Sequence, residues 1–243
     1  MMMNILEVKN VMKSFEGKEV HRGVTFSLRV GETIGLLGNS GTGKSVLLRS
    51  LIGLEQIDDG EIYFHQNRID ILSEKQLCAV RKKISYAFQS GALFDSVNVF
   101  ENIAYPLFEH TKMSEIEIDK IVDEILEIVN MTDAKYLMPS DLSGGMQKRV
   151  GLARAIVARP EIILYDEPTA GLDPVNVEMV LEVMGKFKEQ GLSGIFVTHD
   201  IPAAIKICDR ILILKDGRIG FTGTISEFEN SNDPFVQSFL TGQ

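Results

Sequence analysis

The first third of the chain alternates short apolar segments with turn residues. Apolar or alternating runs of this length, bounded by turn residues, are typical of β-strands. The strands predicted here are residues 5–8, 25–30, 33–37, 61–65 and 84–88. Residues 45–52 carry a helical pattern that ends near Gly53. This part of the chain therefore predicts strands combined with a helix.

The pattern changes to a helical period in the middle of the chain. Ser114 is followed three residues later by Glu117, a capping box that marks the start of a helix. Apolar residues then recur at helical spacing, with acidic residues between them: Ile118, Ile121, Val122, Ile125 and Val129. We interpret residues 91–159 as a helical subdomain inserted into an α/β core.

The strand pattern resumes after this insert. Residues 162–166 and 194–198 are compact apolar runs, typical of strands covered on both faces in a parallel sheet. Residues 211–215 and 218–222 flank Asp216 and Gly217, a strong hairpin signal. We expect one α/β domain over residues 1–243, with its core in residues 1–90 and 160–243 and with an antiparallel β part.

Composition narrows the class of protein. Of the 243 residues, 44% are hydrophobic and 24% are charged, as in an ordinary soluble domain. The net charge of −9 argues against a general nucleic-acid binder. The two cysteines have no metal-like spacing, which favours free thiols in a reducing compartment. We find no secretory signal and no run of 18 apolar residues, and we expect a cytoplasmic chain.

One glycine-rich segment fits the pattern GxxxxGK[ST]. It follows a predicted buried strand and precedes a predicted helix, which is the context that phosphate binding requires. Glycines let several backbone N–H groups point at one anion, and the helix N-terminus adds a partial positive charge. We expect Lys44 to contact the β- and γ-phosphates and Ser45 to hold Mg²⁺. The phosphate loop comprises Gly38, Asn39, Ser40, Gly41, Thr42, Gly43, Lys44 and Ser45.

Polar residues follow three other predicted strands. In an open parallel sheet, ligands bind beyond the carboxyl ends of the strands. We therefore expect Asp166 to lie near the metal and to contact it through a water molecule. Glu167, one residue further, would be within reach of an attacking water and could orient or deprotonate it. His199 would contact the γ-phosphate, and Gln89 would complete the Mg²⁺ site or bind the attacking water. Taken alone, Asp166 and Glu167 fit a solvated strand end equally well.

The segment LSGGMQKR, residues 142–149, resembles the signature of the ABC ATPases. Ser143, Gly144 and Gly145 open a predicted helix that continues through residues 147–158. A hydroxyl and free N–H groups at a helix N-terminus make a second anion site. The other ABC elements occur in the family's order: the phosphate loop, Gln89, Asp166 and Glu167, a D-loop ending at Asp173, and His199. The chain is similar to this family over nearly its whole length.

The resemblance implies a P-loop NTPase core of the ABC ATPase type. It also implies a mechanism in which ATP is bound between two copies of the chain. Two copies would pair head to tail with two ATP molecules between them, so that Ser143, Gly144, Gly145 and Asp173 complete the partner's site. Phe15 matches the aromatic residue that stacks on adenine. Membrane permease subunits would dock at residues 89–108. The apolar residues there fit ordinary core equally well: Leu93, Phe94, Val97, Val99 and Phe100.

Two departures from the family pattern are present. Met146 stands where the signature commonly has Gln, and Phe15 where the adenine-stacking residue is often Tyr. Stacking needs only the ring. The signature segment and residues 93–107, 165–175 and 233–242 are similar to the Mla/Mce-type ATPases, which serve bacterial phospholipid traffic between inner and outer membranes. That resemblance implies a location on the cytoplasmic face of the inner membrane, an Mce-type lipid-binding subunit and a small accessory subunit.

Other members of the family remain as alternatives. An ATPase for amino-acid import or lipoprotein export would have the same site. A soluble ABC ATPase for DNA repair or chromosome structure would have a long coiled coil between Gln89 and Ser143, and no sustained heptads are present there. A regulator without turnover would have no need of Glu167 and His199.

Overall fold

The computed structural model describes residues 3–241. Met1, Met2 and Gly242, the last of which ends the C-terminal segment of the Mla/Mce resemblance, lie outside the described residues. The chain forms ten strands and nine α-helices within residues 3–241. Cys208 is buried, Cys78 is exposed, and both are free thiols.

The strands have the following bounds: β1 Asn4–Phe15, β2 Lys18–Arg29, β3 Thr33–Leu37, β4 Asp59–Phe64, β5 Asn67–Arg68, β6 Ile84–Ala87, β7 Ile162–Asp166, β8 Ser193–Val197, β9 Arg210–Lys215 and β10 Arg218–Thr224. The helices are α1 Lys44–Leu51, α2 Glu74–Arg81, α3 Val99–His110, α4 Glu115–Ile128, α5 Gly144–Ile156, α6 Pro174–Glu189, α7 Ile201–Ile207, α8 Ile225–Glu229 and α9 Pro234–Thr241.

Two sheets share these strands. The smaller is antiparallel, in the order β2-β1-β4-β5, and the larger has the order β10-β9-β3-β8-β7-β6. In the larger sheet β9, β3, β8, β7 and β6 pair in parallel, and β10 joins the edge as an antiparallel hairpin with β9. The predicted parallel core, the hairpin at Asp216 and Gly217 and the antiparallel part are confirmed.

The parallel strands are buried on both faces because successive side chains point to opposite sides of a sheet. Leu164 and Ile195 pack toward α1 and the antiparallel sheet, while Ile163 and Phe196 pack toward the helices between β6 and β7 and toward α6. This double covering explains the continuous apolar runs in the sequence. Because both faces are covered, ligands can approach these strands at their ends.

The segment between β6 and β7 is helical, as expected. Its helix α4 begins at the predicted capping box, where the Ser114 and Glu117 side chains each bond the other's backbone N–H. Helix α5 begins at Gly144, within the segment Ser143–Gly145 predicted to open it. It packs against α3, α6 and β6, which attaches the helical segment to the core.

Candidate nucleotide site

Four parallel strands bring the predicted site residues to one edge of the larger sheet. Strand β3 leads into the phosphate loop, residues 38–45. Strand β7 ends at Asp166 and is followed by Glu167, and β8 is followed by Thr198 and His199. Strand β6 is followed by Phe88 and then Gln89. These strands are adjacent in the order β3-β8-β7-β6, so their carboxyl ends lie side by side.

The phosphate loop needs glycine at two positions for different reasons. A Cβ on Gly38 would lie 2.8 Å from the Leu214 carbonyl oxygen, and Gly43 has a φ of 95°. Only glycine adopts that left-handed backbone at little cost. Gly43 is also the N-cap of α1, and no side chain caps this helix. The loop and the helix therefore leave backbone N–H groups for an anion.

Lys44 is buried within the loop. Its Nζ donates hydrogen bonds to the carbonyl oxygens of Gly38, at 2.8 Å, and Asn39, at 3.0 Å. Burial lowers the pKa of Lys44, while Glu167 and Asp166 act in the opposite direction. A buried cation beside carbonyl oxygens would be stabilised further by a bound polyanion. The position of Lys44 is therefore compatible with the phosphate contact predicted for it.

Ser45 and Asp166 contact each other across the loop. The Ser45 hydroxyl donates to Oδ1 of Asp166 at 2.8 Å. The described part of the chain contains no cluster of three or more His, Cys, Asp or Glu side chains that could hold a metal. Mg²⁺ usually binds through one or two protein oxygens, phosphates and waters, and a hydroxyl beside a carboxylate fits that donor set. Both residues would hold the ion, which would neutralise phosphate charge.

Tyr86 reaches the same carboxylate, and the sequence reasoning missed it. Its hydroxyl donates to Oδ2 of Asp166 at 2.6 Å. Burial, followed by the hydrogen bond to Asp166, raises the pKa of Tyr86. The signal that could have identified it is the hydroxyl group of a tyrosine within the predicted strand 84–88. Asp166 consequently has one donor on each carboxylate oxygen.

Glu167 and His199 form a pair at the open edge. The distance from His199 Nδ1 to Glu167 Oε2 is 3.3 Å. The His199 side chain is 69% exposed and that of Glu167 is 23% exposed, so the imidazole lies on the solvent side. Glu167 has a φ of 48°, an uncommon backbone conformation for a residue with a side chain. Such strain often lies at functional sites, and here it lies in the residue directly after Asp166.

Gln89 and Phe15 are both exposed. Gln89 is in an exposed turn, and its side chain has no hydrogen bond to any residue from 3 to 241. Phe15 ends β1 and is 40% exposed. The Lys13 Nζ lies 4.7 Å from the centre of that ring. The ring is therefore available for stacking, while its position is stabilised by a cation–π contact.

Ser143 caps α5, and its contacts are local. Its Oγ accepts a hydrogen bond from the Met146 backbone N–H at 3.3 Å. A Cβ on Gly145 would lie 2.3 Å from Asn176 Oδ1, whereas one on Gly144 would meet nothing within 4 Å. Asp173 caps α6 and accepts from the Asn176 backbone N–H at 3.1 Å. The structure therefore brings Ser143, Gly145 and Asp173 together at the N-termini of α5 and α6.

His21 is a second residue that the sequence reasoning missed. It is 1% exposed and lies under the phosphate loop, with Nε2 3.1 Å from the Gly43 carbonyl oxygen. That geometry requires the Nε2–H tautomer, and Nδ1 has no hydrogen-bond partner among the described residues. Burial lowers the pKa of His21. The histidine supports the loop at its left-handed glycine.

The described residues line cavities at both ends of the parallel strands. One of about 430 Å³ is lined by Gly38, Ser40, His199 and, from α9, Phe239. A larger one of about 640 Å³ lies at the opposite ends of β7 and β8, beside Glu161. The smaller cavity adjoins the chemistry described above, and the larger does not.

Comparisons with known proteins agree with this arrangement. The family described as "ABC transporter" matches residues 21–170. The chain is 37% identical to the intermembrane phospholipid transport system ATP-binding protein MlaF of Escherichia coli K12, covering 98% of this chain and 89% of that one. It is 40% identical to the chloroplastic protein TRIGALACTOSYLDIACYLGLYCEROL 3 of Arabidopsis thaliana, covering 98% and 74%.

A solved structure also matches. The ATP-binding cassette MJ0796, described as a dimer in a post-hydrolysis state bound to ADP and Pi, superposes with a TM-score of 0.83 and 32% identity, covering 90% of this chain and 98% of that one. The predicted α/β fold of the ABC ATPase type is confirmed.

Proposed function

The chain belongs to the ABC transporter family as an ATPase subunit that couples ATP hydrolysis to transport, and we propose that it drives phospholipid transport between inner and outer membranes. The names of two relatives concern phospholipid transport and a diacylglycerol lipid. The segments 93–107, 142–149 and 165–175 support the same subfamily. The ATPase itself would not touch the lipid.

The contact that carries the catalytic part of the proposal is Ser45 Oγ to Asp166 Oδ1, at 2.8 Å, beside the pair formed by Glu167 and His199. In our proposal Lys44 and the loop hold the phosphates of ATP, and Ser45, Asp166 and Gln89 serve Mg²⁺. Glu167 accepts the proton of the attacking water, since its carboxylate is partly exposed at the strand edge. His199 contacts the γ-phosphate, and Phe15 stacks on adenine.

The proposed dimer places the turn formed by Ser143, Gly144 and Gly145 against the second copy's phosphates. Gly144 has open space around it, and the Ser143 hydroxyl lies at a helix N-terminus. These are the properties of an anion site whose ligand comes from outside the chain. Asp173 would lie at the same interface.

We propose that permease subunits dock in a groove between the core and the helical segment, which we treat as a subdomain of residues 91–159. The groove has a volume of about 420 Å³, and its apolar lining includes Phe88, Phe94 and Tyr105, each more than 40% exposed. Val99, by contrast, is fully buried as core. The burial of Val99 supports the core alternative for that residue, and Phe88, Phe94 and Tyr105 are the side chains that we propose for docking.

Partners in the membrane follow from this proposal. Within residues 3–241 no helix has both the length and the apolar character needed to cross a bilayer. We propose permease subunits, an Mce-type lipid-binding subunit and a small accessory subunit as partners, with this chain peripheral on the cytoplasmic face of the inner membrane.

The test is purification of the chain with its partners from native membranes, followed by identification of bound lipid and transfer of a fluorescent phospholipid between vesicles. We expect a permease, bound phospholipid, and transfer that requires ATP and stops in the Glu167→Gln complex. Co-purification with an amino-acid-binding protein would overturn the lipid proposal in favour of an importer. Isolation of the chain without a permease would favour a soluble ABC ATPase.

A further inference from the structure

Tyr86 connects two parts of the molecule that the proposed function uses separately. It lies on β6 opposite Leu164 of β7, in parallel register. Paired residues point to the same face, as do residues two apart on one strand, so Tyr86, Leu164 and Asp166 share a face of the sheet. The phenol extends along this face to the end of β7. Its hydroxyl reaches Asp166 Oδ2 at 2.6 Å.

The Tyr86 ring also forms part of the wall of the proposed docking groove. Tyr86 lines the groove together with Phe88 and Phe94, and the Tyr86 and Phe88 ring centres are 4.5 Å apart. The ring is also packed against the core that contains Leu164 and Leu47. Packing on both sides restricts the ring, and a restricted ring holds its hydroxyl in one place.

The carboxylate of Asp166 is thereby fixed in orientation. Ser45 occupies Oδ1 and Tyr86 occupies Oδ2, so that a rotation of the carboxylate would break both hydrogen bonds. Ser45 is the hydroxyl expected to bind Mg²⁺, which would leave Tyr86 as the donor that keeps Asp166 aligned. A hydrogen bond to a charged group is among the stronger ones in proteins.

We propose that Tyr86 is a positioning residue that orients Asp166 toward Mg²⁺ from the wall of the docking groove. The inference rests on the proposed roles of Ser45 and Asp166. It adds a residue that acts through Asp166 without touching nucleotide, and it assigns the hydroxyl, rather than the ring, as the functional group.

The experiment measures how much Mg²⁺ strengthens nucleotide binding. The purified chain is titrated with the non-hydrolysable β,γ-imido analogue of ATP by calorimetry, once with Mg²⁺ and once with EDTA. The variant is Tyr86→Phe, which keeps the ring. The control is Tyr63→Phe, because the Tyr63 hydroxyl also donates to a carboxylate, Glu61 at 3.0 Å, in the antiparallel sheet.

We expect Tyr86→Phe to reduce the Mg²⁺-dependent gain in affinity about tenfold, the order of one hydrogen bond to a charged group, with affinity in EDTA unchanged. Tyr63→Phe should leave both affinities unchanged. An unchanged gain in Tyr86→Phe, or an equal loss with and without Mg²⁺, would overturn the inference. If the parent chain gains nothing from Mg²⁺, the proposed metal site itself fails.

A double-mutant cycle keeps the inference testable if Tyr86→Phe lowers stability. Asp166→Asn should reduce the Mg²⁺-dependent gain, and Tyr86→Phe should add no further reduction in that background. Additive reductions would show that Tyr86 acts by another route and would contradict the inference.

Discussion

Around the phosphate loop, side chains from different elements contact one another, whereas around Ser143 the contacts stay at the ends of two helices. Lys44, Ser45 and Asp166 are held by hydrogen bonds from α1, β7 and the loop, and His21 supports the loop from β2. Within residues 3–241, Ser143 bonds only to its own helix, and Gly144 has open space around it.

This difference indicates different tasks. A site that must hold a polyanion and a metal needs its donors fixed before the ligand arrives. A surface that completes a site on another molecule needs exposure and a compatible shape instead. We propose that the phosphate-loop region binds the nucleotide and that the Ser143 turn is exposed for contact with a second copy.

Removal of the buried cation should have the largest effect. We expect Lys44→Ala to lose ATP turnover by about a thousandfold or more and to weaken nucleotide binding, because the loop then has no cation for the phosphates. ATPase assays and equilibrium nucleotide binding measure both effects. Lys206→Ala, at an exposed lysine paired with Glu178 on the surface, is the control and should match the parent. Parent-like turnover in Lys44→Ala would contradict the phosphate-loop assignment.

Loss of the Glu167 carboxylate should slow chemistry while sparing binding. We expect Glu167→Gln to reduce turnover at least about a hundredfold, the contribution typical of a general base, and to accumulate ATP-bound dimers. Turnover and gel filtration with ATP measure the two results, with Glu178→Gln as the surface control. Hydrolysis at the parent rate would exclude Glu167 as the catalytic group.

Substitution of the two glycines that follow Ser143 tests how tightly this turn is packed. Gly145→Ala would bring a methyl group against Asn176, whose side-chain amide also donates to Asp173, so the clash cannot relax freely. We expect Gly145→Ala to lower the free energy of unfolding by about 1–3 kcal/mol, as overpacking usually does. Gly144→Ala has room and should gain up to about 1 kcal/mol from helix propensity. Urea unfolding compares them, and equal stabilities would contradict the packing described.

The smallest expected effect concerns His21 and pH. Burial lowers the pKa of His21 below its ordinary value of 6.5, and the charge of Lys13 lowers it further. The hydrogen bond to Gly43 raises this pKa but does not outweigh burial. The unfolded chain therefore binds a proton first as pH falls below about 6.5, and stability decreases there. We expect His21→Phe to show a shallower loss of stability between pH 7.5 and 5.5 than the parent, in urea unfolding. The exposed His110→Phe should keep the parent slope, and a parent slope in His21→Phe would contradict the prediction.

The sequence predicted the parallel sheet well and the supporting contacts poorly. Strands β3 and β7 have the predicted bounds because both faces are covered, which produces continuous apolar runs. Strand β1 is longer than the predicted residues 5–8. The prediction missed its second half because that half contains polar residues such as Lys13, whose charge is paired with Glu55 at 2.9 Å. A pairing so distant in sequence leaves no local pattern.

In the candidate site, too, some residues could be predicted from the sequence and their supporting contacts could not. The residues at the carboxyl ends of strands, Asp166 and His199, follow from strand direction alone. Tyr86 lies in a predicted strand, while His21 lies in a part of β2 that the pattern did not predict. The partners of both residues depend on sheet register and on the path of the loop. Only the assembled fold identifies what these two side chains contact.

The central claim, that one chain supplies two halves of different sites, is tested most directly by counting ATP retained in mixed dimers. Both chains carry Glu167→Gln to prevent turnover, one also carries Lys44→Ala, and the other Ser143→Arg. Each variant alone should retain no ATP after gel filtration. A dimer containing one of each should retain one ATP, because it joins one intact loop to one intact Ser143 turn. Retention in the Ser143→Arg dimers equal to that of the Glu167→Gln parent, or none in the mixed dimers, would contradict the account.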